Sequence, residues 1–73
     1  MQTITVEVTA EISPETIEIV KSLSLGSRAR DIAPNLKISH RTVEAKIAQI
    51  MKEYKAETQG HLVAIFFRNK LID

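Results

Sequence analysis

Residues near the middle of the chain have the types and spacing of two helices joined by a tight turn, with exposed polar groups at the start of the second. Residues 26–50 read GSRARDIAPNLKISHRTVEAKIAQI. We expect a short helix, a tight turn and a longer helix that begins at Ser39, because serine is a favoured N-cap. Free N–H groups at a helix N-terminus bind phosphate, and this order of elements is that of a helix-turn-helix, whose second helix enters the major groove. The segment therefore predicts duplex DNA as the ligand.

The charge of the chain is unevenly distributed around this segment. The whole chain has a net charge of only +1, and residues 1–25 have four glutamates and one lysine, a net charge of −3. Residues 26–55 have three acidic side chains against seven basic ones, a net charge of +4, the basic ones being Arg28, Arg30, Lys37, Arg41, Lys46, Lys52 and Lys55. A local basic face attracts phosphate even on a nearly neutral chain. Ordinary solvated lysines would give the same pattern.

The sequence lacks the residue types of a catalytic or metal site. There is no cysteine among the 73 residues, which excludes a disulfide and a thiolate nucleophile or ligand. The two histidines, His40 and His61, have no paired carboxylate at ligand spacing, and we expect both at the surface with no metal or cofactor. Ser39 is expected to cap a helix, since no base is placed to activate it as a nucleophile. We therefore expect a protein that is not an enzyme.

The length predicts one small domain, near the lower limit for a self-sufficient core, which oligomerisation would help to stabilise. No apolar run approaches the roughly 20 residues of a membrane span, and the N-terminus lacks the pattern of a signal peptide. We expect a soluble cytoplasmic protein with no membrane partner.

The first residues of the chain alternate between apolar and polar side chains. Ile4, Val6 and Val8 share one face of residues 2–9, which predicts a β-strand. No second strand is predicted, so the strand needs a partner for its backbone groups. We expect residues 1–11 to form an arm that pairs with the same strand of a second copy. The alternatives are that it folds back on its own helices or pairs with a different protein.

Apolar spacing and capping residues predict four helices in residues 12–73. The first opens at Ser13-Pro14 and ends at Gly26, the second starts at Ser27 or Arg28, the third runs from Ser39 to about Tyr54, and the fourth from Thr58 to about Asn69. Proline lacks a backbone N–H, so we expect the second helix to end or bend near Pro34, with residues 35–38 forming the turn. Leu71 and Ile72 should return to the core.

A set of short motifs resembles one family of regulators. The motifs are Pro14, Gly26, Ile32-Ala33, Leu36, Ile38-Ser39 and Thr42-Val43, followed by residues 62–64 and 68–72. In this order and spacing, residues 12–73 resemble the LuxR/FixJ/GerE-type helix-turn-helix DNA-binding domain. The resemblance implies a mainly α, four-helix domain with helix 3 in the major groove and helix 4 as a common dimer surface. It also implies that Thr42 and the Ser39 region meet phosphate, and that Val43 and Lys46 reach the groove.

Physical chemistry supports a wider set of DNA contacts. Arginine and lysine pair with phosphate or guanine, and an apolar β-branched side chain contacts thymine methyl groups. The expected DNA-binding residues are Arg28, Arg30, Lys37, Ser39, His40, Arg41, Thr42, Val43 and Lys46. Val43 also fits the buried stripe of helix 3 with Ile47, Ile50 and Tyr54, so a core position is its alternative.

The sequence departs from the family pattern at three charged positions. Glu44 stands where the family often has lysine, Glu53 replaces a usual lysine, and Lys55 replaces a glycine that ends helix 3. A carboxylate near phosphates repels them, although it can accept a hydrogen bond from cytosine N4.

We expect a sequence-specific transcription regulator that binds double-stranded DNA as a homodimer. The expected dimer residues are Ile4, Val6, Val8, Phe66 and Phe67. Adjacent residues of a helix cannot easily share one core face, so one phenylalanine is expected at the surface. The alternative is an interaction protein that pairs with another regulator or with RNA polymerase, its DNA binding weakened by Glu44.

Overall fold

Four α-helices account for most of residues 12–73, the part of the chain that the computed structural model describes. They are α1 (Pro14–Ser24), α2 (Ala29–Leu36), α3 (His40–Tyr54) and α4 (Gln59–Arg68). This part of the protein is mainly helical, as the sequence predicts, and contains no strand. The strand predicted for residues 2–9 lies outside the described residues.

Side chains cap three of the four helices at their N-termini. The hydroxyl oxygens of Ser13, Ser39 and Thr58 each accept a hydrogen bond from the backbone N–H three residues further on, at 3.0–3.1 Å. These contacts satisfy N–H groups that have no partner within the helix, which explains why the helices begin at the predicted residues. At α2 the N-cap is Arg28, whose backbone N–H donates to the Asp31 carboxylate at 3.0 Å.

All four helices end with a residue in the left-handed conformation. These residues are Gly26, Lys37, Lys55 and Lys70, with φ of 91°, 59°, 57° and 60°. In each case the following N–H donates to a carbonyl five residues before it, at 2.8–3.2 Å, as in a Schellman motif. Glycine adopts this conformation without steric cost, so Gly26 fits its predicted role. At the other three helix ends, a lysine adopts the same conformation.

α2 continues past Pro34, the residue near which the sequence predicts that the helix ends or bends. The helix continues through Pro34 to Leu36, so the connection to α3 consists of residues 37–39 and not of residues 35–38. Ile32 and Ala33, just before the proline, are buried, and Leu36 packs against the core. Apolar packing on both sides of the proline therefore offsets the lost backbone hydrogen bond.

The hydrophobic core draws on every helix and on the end of the chain. α2 packs mainly against α3, and α1 packs mainly against α4. The buried residues are Ile19, Val20, Ile32, Ala33, Val43, Ile47, Ile50, Leu62, Phe66 and Ile72. Ile72 returns to the core as expected, with Leu71 packed against it from a half-buried position. This core holds α2 and α3 together as one unit.

Candidate nucleic-acid interface

The N-terminus of α3 is exposed and follows directly on the turn after α2. Ser39 Oγ accepts from the Thr42 N–H at 3.1 Å and lies 2.8 Å from Thr42 Oγ1. The backbone N–H groups of residues 39–41 come before the first hydrogen bond within the helix, which the Val43 N–H donates to the Ser39 carbonyl. Exposed donors of this kind, aligned with the helix dipole, are suited to binding an anion.

The outward face of α3 combines two cations with two small apolar side chains. Arg41, Ala45, Ala48 and Lys52 are all exposed and recur at intervals of four, three and four residues, so they share one face of the helix. At about 1.5 Å per residue, Arg41 and Lys52 lie about 16 Å apart along the helix axis. The two alanines leave room between the cations for the base edges of a groove, and the exposed Glu44, three residues after Arg41 and four before Ala48, borders the same face.

Val43 belongs to the core and not to this face. Its side chain is fully buried, with 0% of its surface exposed, so the expected groove contact is wrong. Val43 shares the inner side of α3 with Ile47 and Ile50, which are also buried. On a helix of 3.6 residues per turn, the side chain two positions further on, Ala45, points outward instead. Ala45 and Ala48 are absent from the expected DNA-binding residues, although the spacing of α3 alone indicates them.

Lys46 occupies the border between the buried and outward faces of α3. Its Nζ lies 3.0 Å from Glu15 Oε1 in the first turn of α1, and both side chains are about half-exposed. The pair spans a shallow groove between α1 and α3 that is lined by Ser13, Glu15, Thr16, Ile19, Lys46, Gln49, Ile50 and Glu53. The structure thus brings Lys46 to a carboxylate and not to the outward face.

The remaining basic residues in the predicted set lie at the two ends of α2. Lys37 is exposed in the turn that leads to Ser39, beside the N-terminus of α3. Arg28 and Arg30 are exposed at the other end of α2, about 12 Å away along a helix of eight residues. Lys37 therefore joins the N-terminal part of α3 directly, whereas the two arginines could only flank it.

His40 and His61 both lie at the surface, as expected. His40 Nε2 lies 3.6 Å from Glu44 Oε2, one turn along α3, and both side chains are exposed. His61 Nδ1 accepts a hydrogen bond from the Glu57 N–H at 3.2 Å, so this histidine takes part in the N-terminal cap of α4. Within residues 12–73, no group of three or more metal-ligating side chains is placed to hold an ion.

Phe66 and Phe67 have opposite environments. Phe66 is fully buried and packs against Tyr54, with ring centroids 4.9 Å apart, so its expected dimer contact is wrong. Phe67 is 47% exposed and remains accessible to a partner. Consecutive residues of a helix point about 100° apart, which separates the two rings. The other expected dimer residues, Ile4, Val6 and Val8, lie outside the described residues.

Tyr54 ends α3 in a partly apolar environment. Burial raises the pKa of its phenol above 10.0, the ordinary value, and the negative charge of the adjacent Glu53 raises it further. The phenol therefore stays neutral at physiological pH. Its ring packs against that of Phe66 at the end of α3.

The described helices also bear on membrane insertion. Among residues 12–73, none of the helices is both long and apolar enough to cross a bilayer.

In comparisons with known proteins, no family model, no curated protein and no solved structure matches this chain. The function is therefore inferred from the residues and their arrangement.

Proposed function

We propose that this protein is a sequence-specific DNA-binding transcription regulator of the LuxR/FixJ/GerE type, acting in the cytoplasm with α3 in the major groove. One observation carries the proposal. α3 follows α2 through a turn of residues 37–39, buries one side in the core, and leaves exposed a face with Arg41 and Lys52 at its two ends. A helix that packs against the core along one side, and has Arg41 and Lys52 on its outward side, suits insertion into a groove.

Each part of this surface has a role in the proposal. The exposed N–H groups at the start of α3 and the side chains of Lys37 and Thr42 contact the phosphate backbone and set the register. Arg41 pairs with guanine or with a phosphate. Ala45 and Ala48 contact thymine methyl groups, in place of the buried Val43. The preferred site would therefore include thymines opposite the centre of α3.

A homodimer would present two copies of α3 to two half-sites on the DNA. The exposed Phe67 supports a contact through α4, and the alternating residues 2–9 support a second contact between N-terminal segments. Two-fold symmetry in the protein would then match a palindromic operator with half-sites about one or two helical turns apart.

The test is a gel-shift titration after selection of a preferred duplex from a random pool. Arg41→Ala should weaken binding to that duplex by about 1–3 kcal/mol if Arg41 contacts a base, and by less if it contacts phosphate. Lys21→Ala is the matched control, because it removes one positive charge from the last turn of α1 and not from α3. Equal affinities for the wild type and both variants would contradict the assignment of α3.

Glu44 favours a second candidate function, that of a regulator which binds another protein in place of DNA. Its carboxylate is exposed one turn into α3, where it would repel phosphates. Under the first function, Glu44→Lys should raise non-specific affinity and steepen the salt dependence, or lower specificity if Glu44 contacts cytosine. Absence of any salt-dependent retention on duplex DNA, with co-elution alongside RNA polymerase or another regulator, would support the second function.

A further inference from the structure

We infer that Glu15 restrains Lys46 and so limits the contribution of the flank of α3 to DNA binding. This inference rests on the proposed function. The carboxylate of Glu15 on α1 pairs with Lys46, the lysine of α3 that lies beside the outward face of that helix. Phosphate can recruit Lys46 only by displacing Glu15. Glu15 would then be a positioning residue that lowers affinity for DNA backbone regardless of sequence.

The position of Lys46 on α3 explains why Glu15 can reach it. Lys46 lies three residues after Val43 and four before Ile50, and both of these neighbours are buried. Its side chain therefore leaves the helix along the edge of the core, toward α1, and its Nζ lies 3.0 Å from Glu15 Oε1. Neither partner is locked in place, because the side chains are 40% and 42% exposed. A lysine stem with four rotatable bonds can move from this carboxylate to a nearby phosphate.

The start of α1 determines where the carboxylate lies. Ser13 caps the helix and Pro14 takes its first position, so Glu15 falls in the first turn, where the helix dipole favours a negative charge. Within the described residues this is the ion pair that joins two different helices, since the His40–Glu44 pair lies within α3.

The charged side chains that line the groove between α1 and α3 are net negative. The charged residues that line the groove are Glu15, Glu53 and Lys46, a net charge of −1. An approaching phosphate therefore meets net repulsion on this side of α3, whereas Arg41 on the outward face has no ion-pair partner among residues 12–73. Arg41 is thus available to bind phosphate, whereas Lys46 is already paired with Glu15.

Removing the charge of Glu15 should alter both affinity and salt dependence. Each phosphate that a protein cation neutralises contributes about −0.9 to the slope of log affinity against log salt. Lys46 adds little to this slope while Glu15 neutralises it. We therefore expect Glu15→Gln to steepen the slope by about 0.9 and to raise affinity for duplex DNA roughly 2- to 5-fold, the range that corresponds to an exposed ion pair.

The experiment measures binding of full-length variants to a selected duplex and to a random duplex across a series of salt concentrations. The control is Glu18→Gln, which removes an equal charge from an exposed residue of α1 that forms no ion pair in the described residues. Glu15→Gln should bind both duplexes more tightly and with a steeper slope than Glu18→Gln. Adding Lys46→Ala should abolish the gain of Glu15→Gln.

Different failures identify different errors. If the wild type binds DNA through Arg41 but Glu15→Gln matches Glu18→Gln, the restraint by Glu15 is wrong and the proposed function stands. A gain that survives Lys46→Ala would also overturn it, because the effect would then come from total charge alone. If no variant, wild type included, binds any duplex, both the proposed function and the restraint fail. Far-UV circular dichroism checks that each variant keeps its helices. Glu15→Asp retains the charge on a shorter side chain, so its affinity for DNA should fall between those of the wild type and Glu15→Gln.

Discussion

Single residues of α3 acquire different roles because consecutive side chains point about 100° apart. Val43 is sealed in the core, Ala45 is exposed, and Lys46 lies at the border, where Glu15 reaches it. A shift of two positions along the helix, from Val43 to Ala45, thus changes a side chain from core to surface. Val43, a predicted base contact, stabilises the fold, and Ala45 faces outward.

Tyr54 gives a direct measurement at the residue scale, because it is the only tyrosine and the chain has no tryptophan. Its raised pKa means that the folded state favours the neutral phenol. The resulting stability is fully present below pH about 10, the ordinary pKa, and is lost as the pH rises through the folded-state pKa. Titration of tyrosinate absorbance should give a midpoint above that of the urea-unfolded chain. Coincident midpoints would show that the phenol is not desolvated, and Tyr54→Phe should remove this alkaline loss of stability.

At the scale of secondary-structure elements, all four helices end in the same backbone geometry, and three of them place lysine in it. Lys37, Lys55 and Lys70 each have φ near +60°. For residues with a Cβ atom this conformation costs about 1–2 kcal/mol, whereas glycine adopts it freely. Each of these three helix ends is therefore less stable than it would be with glycine at the same position. A lysine beside the last carbonyls of a helix does gain from the helix dipole, which offsets part of the cost.

Replacing one of these lysines by glycine should stabilise the protein. We expect Lys55→Gly to raise the free energy of unfolding by about 0.5–1 kcal/mol, since the relief of strain exceeds the entropy cost of glycine. The matched control is Lys52→Gly, one turn earlier and within α3, which should lower it by about 1 kcal/mol. Urea denaturation followed by circular dichroism measures both. A loss of stability in Lys55→Gly would mean that the lysine side chain makes a compensating contact.

At the scale of the whole molecule, the described core is small. Ten residues are buried, and two large apolar side chains, Leu25 and Phe67, remain exposed at 78% and 47%. A domain of this size buries a modest fraction of its surface, so association can supply part of the missing stability. The exposed Phe67 on α4 supports such an association.

We predict a homodimer that depends on α4 and on the N-terminal residues. Sedimentation equilibrium should give twice the 8.2 kDa chain mass for the wild type. Phe67→Glu and deletion of residues 1–9 should each shift the protein toward monomer. Arg68 is the exposed neighbour of Phe67 on α4, and Arg68→Glu should change the oligomeric state less. An unchanged dimer after the deletion would exclude the N-terminal segment from the interface, and an unchanged dimer in Phe67→Glu would exclude this face of α4.

The sequence by itself determined where the helices begin and much of where they end. Ser13, Ser39 and Thr58 cap through hydrogen bonds that span three residues, and Gly26 ends α1 through its own backbone freedom, so each signal is local. Near Pro34, where the sequence predicts that α2 ends or bends, the helix continues for two more residues, because the surrounding apolar side chains pack into the core and outweigh one missing hydrogen bond.

Only the tertiary structure decided which side chains of those helices are available. The burial of Val43 and Phe66, the exposure of Ala45 and Phe67, and the pairing of Lys46 with Glu15 all depend on where other helices lie. Glu15 and Lys46 are about 30 residues apart in sequence, beyond the reach of any interaction along one helix. Helical spacing limits each residue to a face, but packing between distant elements determines which face is covered, and so which residues remain to bind a ligand.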